Sequence, residues 1–65
     1  MFVIRSKYSF SGKHFYFFNK CCLIQEKKLS AKFEKKEDAE KFFQEIKKVN
    51  EGLSFDPSDY EVIEV

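Results

Sequence analysis

The stretch Lys36-Glu37-Asp38-Ala39-Glu40-Lys41-Phe42-Phe43-Gln44-Glu45-Ile46-Lys47-Lys48-Val49 is where the chain changes its period. Ala39, Phe42, Phe43, Ile46 and Val49 fall at i, i+3, i+4, i+7 and i+10, which is one stripe of an α-helix. Glu37 and Asp38 open it and Lys47 and Lys48 close it, both favourable against the helix dipole. Lys41 and Glu45 add an i,i+4 pair, and Gly52 supplies a C-terminal stop. Everything around this segment alternates instead, so the helix needs a sheet to pack on.

Working back toward the N-terminus, Phe2 to Phe10 reads as a strand. Phe2, Ile4, Tyr8 and Phe10 share one parity and Arg5, Lys7 and Ser9 the other. Ser11-Gly12-Lys13 forms the turn, with Gly12 free to take positive φ. His14 to Asn19, continuing through Lys20-Cys21-Cys22-Leu23-Ile24, reads as a second strand rich in aromatic and β-branched residues. Gln25 to Lys28 turns the chain, and Leu29 to Phe33 alternates as a short third strand. Beyond the helix, Asp56-Pro57-Ser58-Asp59 is a turn and Tyr60 to Val65 a last strand.

The expected fold is therefore α+β: a three-stranded antiparallel meander, one amphipathic helix on one sheet face, and a fourth strand, in the order β-β-β-α-β. In a simple meander the fourth strand runs parallel to the first and, by a right-handed crossover, lies beside it. At 65 residues the chain is a single domain with a thin core. Nine Phe and three Tyr are an efficient way to bury area in a core of that size.

One helix covers one face. A two- or four-residue hairpin loop sets even positions of the first strand beside odd positions of the second. Phe2, Ile4, Tyr8, Phe10, Phe15, Phe17, Cys21 and Leu23 then lie beneath the helix, joined by Leu29, Ala31 and Phe33. The second face carries Val3, Arg5, Lys7, Ser9, His14, Tyr16, Phe18, Lys20, Cys22, Ile24 and Lys32. A three-residue loop at Ser11-Gly12-Lys13 would exchange the two faces. The candidate partner-binding residues are Arg5, Lys7, His14, Tyr16, Phe18, Lys20 and Lys32, basic groups interleaved with rings that stack on bases or anchor a protein. The competing account is an ordinary solvated sheet surface, since single exposed aromatics are common.

Charge is distributed unevenly. Residues 1–36 hold nine of the twelve Lys and Arg and two of the eleven acids, a net +7, while residues 37–65 carry −6. The adjacent Cys21 and Cys22 point to opposite faces of a strand and read as small apolar strand residues in a reducing compartment. With one His there is no usual metal-ligand set, and with two Gly no phosphate cradle. Glu37, Asp38 and Glu40 are expected first-turn acids. Asp56, Asp59, Glu61 and Glu64 lack calcium-loop spacing. No nucleophile–base pair is evident, so the expectation is a non-enzyme without cofactor. The alternating, Arg- and Lys-bearing N-terminus is unlike a signal peptide, and no apolar run reaches the roughly 20 residues that span a bilayer. A cytoplasmic location follows as the expectation, with no membrane partner.

The stretch Phe33-Glu34-Lys35-Lys36-Glu37-Asp38-Ala39-Glu40-Lys41-Phe42-Phe43, with the closing strand Tyr60 to Val65, resembles a pattern of small phage and bacterial proteins. In that pattern a strand ending in Phe passes through a polar link into a helix. The chain departs from it at the helix start, where Lys35 or Lys36 stands in place of a Ser, Thr or Asp cap. The resemblance implies a mobile-element protein similar to inhibitors of host defence, the anti-CRISPR proteins among them. Three readings follow: an interaction protein binding one host protein or nucleoprotein, an RNA- or DNA-binding module on the basic–aromatic face, and a homodimer that covers an open edge or exposed rings.

Overall fold

Alternation in the first segment and the turn after it are realised together. A computed structural model describes residues 1–65. Its strands are β1 (Phe2–Phe10), β2 (Lys13–Phe17), β3 (Leu23–Ile24) and β4 (Tyr60–Glu64), with one helix, α1 (Lys36–Val49). Short 3₁₀ turns at Lys27–Leu29 and Pro57–Asp59 complete the chain. The sheet order is β3-β2-β1-β4, and every neighbouring pair is antiparallel. The order of elements is the β-β-β-α-β expected, with the helix on one sheet face.

Phe10 pairs with Lys13, so the loop is the two residues Ser11 and Gly12. Both have positive φ, 55° and 77°, as a type I′ hairpin requires. Between Arg5↔Tyr16 and Ser9↔His14 the register slips. Three residues of β1 (Ser6, Lys7 and Tyr8) oppose Phe15 alone. The surplus is two residues, so the parity of side chains survives the bulge. Ile4, Phe17 and Ile46 consequently meet in the core, with Phe42, Phe43, Phe55, Tyr60 and Val62 packed around them. Phe55 stacks on Tyr60 at 5.2 Å between ring centroids, and Phe17 tilts against the same Tyr60 at 5.0 Å.

Three expectations are corrected. The long second strand ends at Phe17, and Leu23–Ile24 returns beside it as β3. The reversal is set by Asn19, whose Oδ1 accepts from the backbone N–H of both Cys21 (2.8 Å) and Cys22 (2.9 Å). Leu29 to Phe33 is consequently not a third meander strand: it begins in a 3₁₀ turn, and only Phe33 bridges, to Phe2. That bridge is antiparallel, so the chain enters the helix running opposite to β1, and the strand after the helix inherits the reversal. Hence β4 lies beside β1 as expected, but antiparallel rather than parallel. One unforeseen turn inverted every later direction.

The helix begins with Lys35 as its N-cap, which makes no side-chain cap bond. Asn50 closes it, its side-chain amide donating to the Ile46 carbonyl at 2.8 Å and to the Lys20 carbonyl at 3.3 Å. The second bond ties the Asn19 turn to the helix end. Ala39 and Ile46 are wholly buried, but Val49, at the end of the stripe, is exposed. Beyond Ser6 the hairpin outruns the helix: Tyr8 and Phe10, assigned to the covered face, are exposed.

Candidate functional site

The seven candidate residues do not form one platform. Arg5 stands opposite Tyr16 on β2 and Glu61 on β4. Its Nη2 meets Glu61 Oε2 at 2.7 Å, with both side chains about one-third exposed (28% and 33%). That hydrogen bond is the main reason the guanidinium is held above its ordinary pKa; partial desolvation opposes it. Val3, on the same side of β1, is completely buried opposite Ile63, so this face is not an open surface along its length. His14 is half-buried, its Nδ1 lying 2.9 Å from the Ser6 carbonyl and 3.1 Å from that of Tyr8. Both partners are acceptors, so the proton is assigned to Nδ1 and the ring serves the bulge. Of the β1 cations only Lys7 projects freely.

Phe18 and Lys20 are absent from that face because β2 has already ended. Lys20 Nζ donates to Glu45 of the helix at 3.3 Å. Lys32 Nζ donates to the carbonyls of Lys27 (3.2 Å), Lys28 (2.7 Å) and Ser30 (3.4 Å), capping the 3₁₀ turn. The structure keeps Arg5, Tyr16, Lys7 and His14 on or near the first hairpin, and moves Phe18 and Lys20 to the helix side.

That displacement creates a concavity. Phe18, Asn19, Lys20 and Cys21 form one wall, Ala31 and Phe33 the next segment, and Phe42 the helical wall. The space is about 510 Å³ and open to solvent. Phe33 and Phe42 lie 5.1 Å apart between centroids, giving the floor a continuous aromatic surface. Phe18 stays 47% exposed at the rim, and Leu29, also exposed, follows in the adjoining turn. Lys20 and Asn19 supply the polar edge. The groove is apolar with a few polar groups at its edge, the general composition of a ligand-binding cleft.

Phe33, Phe42 and Cys21 are not legible from the sequence as surface-forming residues, because periodicity puts the first two in the core and the third in a strand. The signal that finds them is Asn19-Lys20, a turn-forming residue inside an apolar run. Cys21 and Cys22, expected as strand residues, are both exposed free thiols in that turn. No group of three or more His, Cys, Asp or Glu side chains is arranged to hold a metal ion. No helix is long and apolar enough to cross a membrane. No family model, curated protein or solved structure matches the chain.

Proposed function

We propose that this chain is a non-enzymatic interaction protein that binds one macromolecular partner, seating an apolar side chain of a partner protein in the groove between Phe18, Phe33 and Phe42. The observation that carries the reading is the balance of burial. Only five hydrophobic residues are buried, while nine large ones, Phe18 and Leu29 among them, stay exposed. A domain this small gains most by burying such surface against something else. Aromatic residues in a concave site are also the usual anchors of protein interfaces. The resemblance to small mobile-element proteins supplies the candidate partner class, a host-defence nuclease or nucleoprotein.

The nucleic-acid reading has less support. Arg5 is paired with Glu61, Lys20 with Glu45, and Lys32 with backbone carbonyls, which leaves few free cations beside the rings. Its signature is oligonucleotide binding that weakens steeply with salt.

The test uses the full chain and a Phe18→Asp variant. Phe18 is at the rim, so the substitution leaves the core intact and circular dichroism checks that it does. Purified defence nucleases and their nucleoprotein complexes are assayed for binding to each. Binding by the wild type that the variant loses supports the reading. Binding equal in both, or binding lost instead in a Lys7→Glu variant with Phe18 present, would exclude the groove. Sedimentation of the isolated chain as a dimer that Phe18→Asp converts to monomer would assign the groove to a second copy.

A further inference from the structure

We propose that the outer edge of β4 is a second docking site, which takes an extended basic segment of a partner protein as an added strand of the sheet. β4 stands at the end of the sheet order, with β1 as its only neighbour. The ladder between the two shows which backbone groups of β4 are free. Val65 donates to the Met1 carbonyl at 2.7 Å and accepts from the Met1 amine at 3.2 Å, extending the β1–β4 register by one residue. Bonded pairs alternate in an antiparallel ladder, so Val3–Ile63 and Arg5–Glu61 are bonded pairs too. The residues between them turn their backbone groups the other way. Phe2 does so, exchanging both bonds with Phe33 at 2.7 and 2.9 Å. On β4 the same alternation aims the N–H and C=O of Val62 and Glu64 out of the sheet edge, where no other segment bonds them. The Tyr60 N–H, next in that series, is taken by the Pro57 carbonyl.

Charge and register select the occupant. β4 carries no Lys and no Pro, and no bulge interrupts its pairing with β1, so the edge lacks the usual guards against an added strand. Residues 49–65 contain Glu51, Asp56, Asp59, Glu61 and Glu64 and no Lys, Arg or His. Arg5 answers Glu61 from inside the sheet through Oε2, while Glu64 is exposed and makes no ion pair. Glu61-Val62-Ile63-Glu64 reads the same from either end in charge. A segment that reads basic, apolar, apolar, basic therefore sets a cation across from each Glu in either direction. A second copy of the chain fits less well. With Val62 opposite the copy's Glu64, the two Glu64 side chains become diagonal neighbours on one face; with Val62 opposite Val62, the two Glu61 side chains do. Strand addition takes its affinity from main-chain bonds and its specificity from alternate side chains, and this edge offers both. None of the groove-lining residues belongs to β4, so the inference does not depend on what the groove binds.

The experiment combines fluorescence anisotropy and amide exchange on the full chain with a synthetic peptide of core Lys-Val-Ile-Lys, and with the same peptide carrying Glu for both Lys. The Lys peptide should bind, slow exchange at Val62 and Glu64, and lose affinity as salt rises. The Glu peptide should do none of these. N-methylation of alternate peptide residues should abolish binding in one set and spare it in the other, because only one set faces β4. Glu64→Lys, at an exposed position, should weaken the Lys peptide about tenfold, an attractive pair having become a repulsive one, and should admit the Glu peptide. Phe18→Asp should leave every one of these readings unchanged. Failure of the Lys peptide to slow exchange at Val62 and Glu64, or equal effects of the two N-methylated sets, would overturn strand addition. Equal binding of the two peptides would overturn the basic occupant. Sedimentation as a dimer in which those two amides are already protected would give the edge to a second copy.

Discussion

Arg5 and Glu61 are register partners on adjacent antiparallel strands, and their side chains meet at 2.7 Å. The pair joins the most N-terminal strand to the most C-terminal one. Yet Arg5 Nε is buried without a partner. Removing Glu61 alone therefore leaves a partly desolvated guanidinium less satisfied still, whereas replacing Arg5 as well by an apolar side chain removes the demand. Glu61→Gln is expected to lower stability by about 1 kcal/mol, near the upper end for partly exposed pairs. Arg5→Met combined with Glu61→Gln should recover most of that loss. Denaturant midpoints of the two singles and the double are the measurement, and a double variant as unstable as the sum of the singles would refute it.

Ser6 is the hinge of the bulge. It is completely buried, its hydroxyl donates to the Tyr8 carbonyl at 2.6 Å, and its oxygen accepts the Phe15 N–H at 2.9 Å. The two surplus residues of β1 deprive Phe15 of a backbone acceptor, and the Ser6 side chain replaces it. Ser6→Ala should cost about 1–3 kcal/mol, the penalty for an orphaned buried donor. Amide exchange at Phe15 should accelerate before exchange at the strand centre does. Unchanged protection at Phe15 would show that the bulge finds another acceptor.

These two features show how far the sequence carries. The helix is legible because Ala39, Phe42, Phe43 and Ile46 repeat with one period and nothing else in the chain does. The hairpin is legible because Ser11-Gly12 meets the φ requirement of a tight turn. The face assignment of Ile4 and Phe17 survives a register slip only because the slip is of two residues; a single surplus residue would have exchanged the faces. Direction is different. His14 to Ile24 is apolar enough to read as one strand, and the decisive bonds are from the Asn19 side chain to two backbone amides. Periodicity does not record such a bond. Without that turn, the pattern gives β4 the opposite direction, places Phe18 and Lys20 on the other face, and leaves the groove no walls.

Tyr60 gives the fold an alkaline limit. Burial, then its hydroxyl contact with Tyr8 at 3.3 Å, raises its pKa well above the ordinary tyrosine value. A raised folded-state pKa means the folded chain holds the proton longer than the unfolded one. The contribution is complete below the unfolded pKa of about 10 and is lost as pH climbs from there toward the folded value. Stability should accordingly fall above about pH 10. Tyr60→Phe keeps the ring stacked on Phe55 and should flatten that part of the profile. A variant with the same alkaline slope as the wild type would move the effect to other groups.

The helix start lacks a side-chain cap and is simple to improve. Lys35 sits at the N-cap with extended backbone angles (φ −114°, ψ 140°), the conformation a capping residue needs, but its side chain accepts nothing. A cation there also opposes the positive end of the helix dipole. Lys35→Asp supplies an acceptor for the first-turn amides and reverses the charge, while Lys35→Ser supplies the acceptor alone. Caps of this kind are worth about 1 kcal/mol, so both variants should raise the thermal midpoint. The Asp variant should exceed the Ser variant at low salt and converge with it as salt screens the dipole term. Equal midpoints for Lys35→Ser and the wild type would mean that solvent already satisfies those amides.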